Sequence, residues 1–189
     1  MAMTKLVLIQ LEELRDYIEM AGYEIIYRDL HSRHPLLEGF VSLKFKKVFI
    51  DISVRNTRQE KCVLAEELGH VLLPPAVDGA LYHFAEYKDV FQTQWERDSL
   101  EISVAKDERR ALRYGTSILI PDQAFWDYAK SKHMWYEWYE YFEVEDWFMR
   151  AKFEFMQTKQ HFKWRDLVII NSAAERRFWS LKGGSTFFD

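Results

Sequence analysis

Three side chains near the middle of the chain have the types and the spacing needed to hold a metal ion. They are Glu66, Glu67 and His70, within the stretch TRQEKCVLAEELGHVLL. Glu66 and His70 are four residues apart, so on a helix they project from the same face, one turn apart. A carboxylate and an imidazole are both ligands of divalent metal ions. Glu67 adds a second carboxylate, which could accept a proton.

The sequence around these residues predicts one helix over residues 57–73. Thr57 and Glu60 have the spacing of a capping box, in which each side chain binds the backbone N–H of the other. Apolar residues then recur at helical spacing. Pro74 and Pro75 end the helix, because proline cannot donate a backbone hydrogen bond and restricts the residue before it. The three side chains are therefore expected on a rigid element.

The run from Glu66 to His70 has the spacing of the zinc-protease motif H-E-x-x-H, with Glu66 in place of the first histidine. Glu67 then occupies the position of the general base. A second interpretation is structural. Two adjacent glutamates can mark a solvated helix edge, and a histidine on an apolar helix can be a hydrogen-bonded core residue.

Composition limits the class of protein. The chain has 189 residues, of which 48% are hydrophobic and 16% aromatic, so one domain with a sizeable core is expected. The net charge of -4 argues against a dedicated nucleic-acid binder. Cys62, the only cysteine, cannot form an internal disulfide and is interpreted as a small core residue. No signal peptide or membrane span is predicted, which favours a cytoplasmic protein.

The elements before the central helix are predicted from periodicity. Residues 9–21 form an amphipathic helix that ends at Gly22, and residues 24–30 form a strand. Residues 40–45 and 47–54 alternate or are rich in β-branched residues, so they are expected to form two antiparallel strands joined by a tight turn. His31 and His34 fall in the loop before them and are interpreted as surface residues.

The second half of the chain is predicted to be helical. Residues 76–103, which include His83, are expected to form an ordered loop, and His83 is interpreted as a surface or packing residue. A helix over residues 105–120 carries small residues on its apolar face that would permit close packing, and a third helix follows Pro121. Two more helices are broken near Glu143. Their dense aromatic residues indicate core packing, with a small binding groove as the alternative.

Four blocks of sequence, in this order, resemble the ImmA/IrrE family of metallopeptidases, which is common on bacterial prophages and integrative elements. LLEGF with KVFIDISV resembles the family's glycine turn and strand, and TRQEKCVLAEELGH resembles its active helix. ERRALRYGTSILIP resembles the helix with the third metal ligand, and YFEVEDWFMRAKFEF the helical segment after it. The resemblance covers residues 24–158.

The resemblance implies an α+β, zincin-like fold, in which a small twisted antiparallel sheet packs on the active helix and a helical region follows. Residues 1–121 would form the metallopeptidase core and residues 122–189 a helical extension packed on it. The implied metal ligands are Glu66, His70 and Glu108, with Glu67 as the catalytic base. Because Glu66 replaces a histidine, the ligand set is harder and more negative, so manganese or iron become plausible beside zinc.

The resemblance further implies a metal-dependent endopeptidase that cleaves a helix-turn-helix repressor of its own mobile element. A catalytically inactive zincin-like protein that acts by binding a protein partner stays open, because Glu66 departs from the family pattern. A different metal-dependent hydrolase is a third interpretation. Direct binding of nucleic acid or membrane is not expected. Arg109, Arg110 and Arg113 are interpreted as a solvated helix face, and Arg109 and Arg113 could equally orient Glu108 or neighbouring acids.

Overall fold

A computed structural model describes residues 8–32, 34–73 and 94–169, with the backbone alone described over residues 94–104. The helices, in chain order, are α1 (Leu11–Met20), α2 (Arg58–Leu72), α3 (Gln94–Leu119), α4 (Asp122–Tyr128), α5 (Trp135–Tyr141), α6 (Asp146–Lys159) and α7 (Trp164–Leu167). The strands are β1 (Glu24–Arg28), β2 (Gly39–Ser42), β3 (Lys47–Asp51), β4 (His133–Met134) and β5 (Val168–Ile169). These helices and strands make the fold one of the α+β class. Within the described ranges, none of the helices combines the length and hydropathy of a membrane span.

Helix α1 forms where the amphipathic pattern predicts it, and Leu14 and Ile18 are fully buried. It ends before Gly22, whose φ of 84° is a left-handed conformation that favours glycine. Tyr17, which follows Leu14 at helical spacing, is 43% exposed. At about 100° per residue, Tyr17 lies at the edge of the apolar stripe rather than at its centre.

The three-stranded sheet is mixed, with the strand order β1-β3-β2. The expected antiparallel pairing is confirmed for β2 and β3, but β1 pairs with β3 in parallel. The prediction of a wholly antiparallel sheet is therefore wrong. Alternation of residue types identifies a strand but not its neighbour, and residues 29–46 are long enough to carry the chain back for a parallel pair. As a result, β1 and β3 end at the same edge of the sheet.

One face of the sheet packs on α2 and holds the core of this region. Val41, Val48 and Ile50 on that face are buried. On the opposite face, Phe40 and Phe49 stack with their ring centroids 4.6 Å apart and stay partly exposed. The strand β3 stops at Asp51, and a short 3₁₀ turn over Ile52–Val54 leads towards α2, so the predicted strand over residues 47–54 was too long.

Helix α2 begins with half of the predicted capping box. Thr57 Oγ1 accepts a hydrogen bond from Glu60 N at 3.2 Å. The Glu60 carboxylate does not return to Thr57 but accepts from Asn56 N at 2.5 Å. It is fully buried, and it also accepts hydrogen bonds from Arg15 and Tyr27. Glu60 therefore ties the start of α2 to α1 and to the sheet.

Helix α3 is longer than the sequence predicts and runs antiparallel beside α2. It begins at Gln94, so the expected loop is helical from that residue onward, and residues 76–93 of the same prediction lie outside the described residues. A Cβ atom on Gly115 would lie 2.6 Å from Ala65 O, and one on Gly69 would lie 2.8 Å from Ala111 Cα. The predicted close approach through small residues is confirmed.

The C-terminal region packs its aromatic side chains inward. Helix α5 ends near Glu143, whose φ of 53° breaks the helical path as expected. The interpretation as core packing is confirmed for four rings that are fully buried, namely Trp138, Phe142, Phe148 and Phe153, whereas Trp147 is half-buried and Tyr136 is 52% exposed. The four buried rings belong to the same buried cluster as α2 and the sheet. The division of the chain at residue 121 stays a prediction.

Candidate functional site

The three side chains of α2 that could do chemistry lie on one side of the helix, near its C-terminal end. At about 100° per residue, His70 lies between Glu66 and Glu67 around the helix axis. Glu67 and His70 are 1% and 2% exposed, whereas Glu66 is half-buried. The interpretation of both glutamates as a solvated edge is therefore wrong for Glu67.

The contact between α2 and α3 brings His70 to Glu108. His70 Nε2 lies 3.3 Å from Glu108 Oε2. Glu108 is one turn before Ala111, which packs against Gly69 on α2, so the glycine contact sets the distance between the two side chains. Arg110 also links α3 to the C-terminal end of α2, because its guanidinium donates to Leu73 O at 3.0 Å.

The pair formed by His70 and Glu108 suits a divalent metal ion. Two ligands that each lie about 2.0–2.1 Å from a tetrahedral zinc ion are about 3.3 Å apart, which is the separation between His70 Nε2 and Glu108 Oε2. Over residues 8–32, 34–73 and 94–169, no three His, Cys, Asp or Glu side chains are grouped closely enough to hold a metal ion. Glu66 as the third ligand therefore stays a prediction.

A pocket of about 500 Å³ lies beside these residues. Glu66 and Glu67 line it from α2, and Trp147 lines it from α6. Gly39, at the start of β2, lies against the carboxylate of Glu67, since a Cβ atom on Gly39 would be 3.3 Å from Glu67 Oε1. The absence of a side chain at Gly39 leaves room for a buried carboxylate at the wall of an open pocket.

The same pocket is lined by His31, which the sequence had indicated to be a surface residue. His31 follows β1, and its Nδ1 lies 3.5 Å from Asp51 Oδ1 at the end of β3. The parallel pairing of β1 and β3 makes this contact possible, because both strands end at one sheet edge. No local signal in the sequence indicated this contact, because β3 is followed by Ile52, Ser53 and Val54 rather than by a polar run. His34, from the same loop, is exposed and lines a different pocket.

Asp51 holds the loop that carries His31. Its carboxylate accepts from Leu30 N at 2.7 Å and from His31 N at 3.0 Å, and from both the backbone and the hydroxyl of Ser53. Burial by itself would raise the pKa of Asp51, but the hydrogen bonds from Ser53, His31 and Leu30 outweigh it and lower that pKa to about 2. Asp51 is therefore ionised at neutral pH.

Three other residues that the sequence analysis discussed, namely Arg109, Arg113 and Cys62, make packing contacts outside the pocket. Arg109 and Arg113 lie over the Phe155 ring, at 5.1 Å and 5.0 Å from its centroid. Cys62 is fully buried, as expected of a core residue, and burial raises its pKa to about 12. A thiol with so high a pKa is a poor nucleophile. His83 lies outside the described residues.

Comparison with known proteins adds no precedent for this site. No protein-family model, no curated protein and no solved structure matches the chain. The resemblance to the ImmA/IrrE family therefore stays a prediction from the residues that carry it. The chemistry of the site is argued below from the positions of its own side chains.

Proposed function

We propose that this chain is a metal-dependent endopeptidase with a zincin-like site, of the kind that the ImmA/IrrE family contains. The observation that supports the proposal most is the 3.3 Å separation of His70 Nε2 and Glu108 Oε2. These two residues are 38 positions apart in the sequence and were paired as ligands by the family pattern. A bound divalent ion would polarise the peptide carbonyl and make a water molecule more acidic.

The residues that would hold the ion are His70, Glu108 and Glu66. The first two supply one imidazole nitrogen and one carboxylate oxygen, and Glu66 lies about 40° from His70 around α2. One nitrogen and two oxygen donors suit manganese or iron as well as zinc. The extra negative charge, relative to a site with two histidines, makes the ion a weaker Lewis acid.

Glu67 would act as the general base. Its carboxylate lines the pocket, and Gly39 leaves it space there. It would accept a proton from the attacking water without being a ligand itself, since it points about 100° away from Glu66 around the helix. A positioned general base contributes about 10²–10⁴-fold to a rate.

The walls of the pocket fit a peptide better than a small polar molecule. Leu36 is 92% exposed at its mouth, and Leu37, Val63 and Trp147 add apolar surface. A peptide segment with a large apolar side chain would cover this surface while its backbone lies near Glu67. A helix-turn-helix repressor from the same mobile element, the substrate that the resemblance implies, would supply such a segment from its core.

The test compares the parent with three variants. The protein is purified without a metal-binding tag, and its metal content is measured before zinc, manganese or iron is supplied. We expect Glu67→Gln to keep the metal and the fold but to cleave the repressor about 10²–10⁴-fold more slowly. Glu66→Ala and Glu108→Ala should lower the metal content. Glu19→Gln, on the exposed side of α1, is the matched control and should cleave like the parent.

Two results would contradict the proposal. If Glu67→Gln cleaves as fast as the parent, Glu67 is not the base. If the parent cleaves nothing with any of the three metals, yet binds the repressor as tightly as Glu67→Gln does, the chain is a zincin-like interaction protein without catalytic activity.

A further inference from the structure

A second pocket lies on the face of the sheet that is turned away from α2. We propose that it binds a flat aromatic molecule that carries one negatively charged group, such as a carboxylate. Its volume is about 790 Å³, and pockets for small molecules usually measure about 300–1,000 Å³. The residues that the structure shows lining it come from the strands and from the loop between β1 and β2, rather than from α2 or α3. The site therefore does not depend on the proposed endopeptidase activity.

The floor of this pocket is an apolar row that crosses the three strands of the sheet. Phe49 on β3 is paired with Ile26 on β1 and with Phe40 on β2, and all three line the pocket. The rings of Phe40 and Phe49 are inclined by only 15° to each other. Because strand side chains stand roughly perpendicular to the sheet, these stacked rings turn their edges outward. Ring edges are electropositive, so they attract the electron-rich face of another aromatic ring.

The rim of the pocket carries a cation on the same face of the sheet. Arg28 follows Ile26 by two residues along β1, so its side chain projects to the same side, and it is exposed and lines the pocket. Among the residues that the structure describes, none forms a hydrogen bond or an ion pair with its guanidinium. The acid next to it, Asp29, accepts from Ser32 N at 2.9 Å, so a backbone N–H group compensates part of its charge. Arg28 is therefore available to an anionic group above the apolar floor.

The loop between β1 and β2 encloses the pocket on one side. Leu30, His34 and Leu37 from this loop line it, and Leu30 N donates to Asp51 at 2.7 Å, which ties the loop to the end of β3. An aliphatic acid would pair with Arg28 but would offer no electron-rich face to the rings. A neutral aromatic molecule would stack on the rings but would leave Arg28 without a counter-charge. An aromatic anion satisfies both features of the pocket.

A second copy of the chain is a poorer match for this face. Ten of the described residues line the pocket, whereas each partner in a stable protein–protein interface contributes about 20–30 residues and about 800 Å². The apolar row is also bounded by charged groups, since Arg28 and Asp29 lie at one end of it and Lys47 lies two residues before Phe49. A small molecule would cover the row without burying these charges.

The experiment measures the binding of three probes to the full chain by isothermal titration calorimetry. They are naphthalene carboxylate, naphthalene carboxamide, which lacks the charge, and decalin carboxylate, which lacks the aromatic ring. We expect one naphthalene carboxylate to bind per chain, about tenfold more tightly than either of the other probes, because a hydrogen bond to a charged group is stronger than one to a neutral group. Arg28→Gln should lower its affinity about tenfold, to that of the carboxamide.

The matched control is Lys47→Gln. It removes the same charge from the same face of the sheet, but Lys47 pairs with Glu24 at 3.3 Å and does not line the pocket. This variant should bind naphthalene carboxylate like the parent. Phe49→Leu should weaken both naphthalene probes and leave decalin carboxylate unchanged. If its unfolding temperature falls, the comparison of Arg28→Gln with Lys47→Gln still decides the question.

Three results would overturn the inference. If the three probes bind the parent equally tightly, the face is a hydrophobic patch without a preference for aromatic anions. If Arg28→Gln and Lys47→Gln lower the affinity for naphthalene carboxylate equally, the anion responds to the net charge of the protein rather than to the pocket. If the parent binds none of the probes, the pocket is not a site for this class of ligand, and a dimer in analytical ultracentrifugation would then assign the face to a second copy.

Discussion

Helix α2 carries two buried carboxylates, two turns apart, in different surroundings. Glu60 in the first turn is 0% exposed, and Glu67 further along is 1% exposed. Around Glu60, the guanidinium of Arg15, the hydroxyl of Tyr27 and the backbone of Asn56 all donate to the carboxylate. Glu67 lies instead on the wall of a pocket of about 500 Å³.

The difference shows that burial alone does not identify a functional acid. Glu60 is enclosed by its donors, so its charge is compensated inside the protein and no substrate can reach it. Glu67 is just as buried, but it borders an open space that Glu66 and His31 also line. We therefore expect substitutions at Glu60, near the N-terminal end of α2, to change stability. Substitutions at Glu67, near its C-terminal end, should change activity.

The largest effect on stability is expected from Glu60→Ala. Removing one partner of a buried ion pair leaves the other charge uncompensated and costs about 3–5 kcal/mol, and the Arg15 side chain is only 17% exposed. Urea unfolding would measure the change. The matched control is Glu12→Ala, which removes the exposed partner of the same Arg15 and should cost less than about 1 kcal/mol. Equal losses in the two variants would contradict the comparison.

The next largest effect is expected from Gly115→Ala. The new Cβ would meet Ala65 O at 2.6 Å, and backbone cannot move aside as a flexible side chain can. We expect a loss of about 3 kcal/mol, the upper part of the usual range for overpacking, although Gly→Ala inside a helix normally stabilises by about 0.5–1 kcal/mol. Metal affinity should fall as well, since His70 and Glu108 would separate.

The control for this variant is Ser117→Ala, on the exposed side of α3. It should change the free energy of unfolding by no more than about 0.5 kcal/mol. A Gly115→Ala protein as stable as the parent would show that the two helices can move apart without cost. The 3.3 Å contact of His70 and Glu108 would then not depend on tight packing.

A smaller effect, dependent on pH, is expected from Asp51. Its pKa is lowered from 3.8 to about 2 in the folded protein, so it stabilises the fold above pH 4, and this contribution is lost as the pH falls towards 2. The shift corresponds to about 2 kcal/mol. Asp51→Asn should therefore be less stable than the parent at neutral pH and should show a flatter dependence on pH between 4 and 2.

Urea unfolding at several pH values would measure this dependence, with Asp16→Asn on the exposed face of α1 as the control. If Asp51→Asn and the parent lose stability in parallel between pH 4 and 2, the hydrogen bonds to Asp51 do not favour its ionised form.

The smallest effect is expected from Arg110→Ala. The guanidinium donates to Leu73 O at 3.0 Å, and the side chain is 45% exposed. Loss of one such hydrogen bond costs about 0.5–1.5 kcal/mol, which a thermal melt would detect as a decrease of a few degrees at most. Because Leu73 follows His70 by three residues, metal affinity should fall slightly too. A larger loss than for Gly115→Ala would reverse the expected order.

The sequence by itself determined the elements whose signals are local. The periodicity, the threonine cap and the two prolines were enough to predict α2. Alternation identified the two strands, and the tight turn between them was enough to predict the pairing of β2 with β3. Small residues at helical spacing predicted that α3 packs closely against a neighbour. These signals lie within a few residues of one another, so no knowledge of distant parts of the chain was needed.

Only the tertiary structure decided which distant residues meet. The sequence did not indicate that β1 pairs in parallel with β3, because a strand carries no local record of its partner. His31 and Asp51 meet for that reason alone, since two parallel strands end at the same edge of the sheet. In the same way, the donors to Glu60 come from α1 and β1. Such contacts arise from packing between elements, and this is why His31 could be assigned to the pocket that Glu67 lines only from the fold.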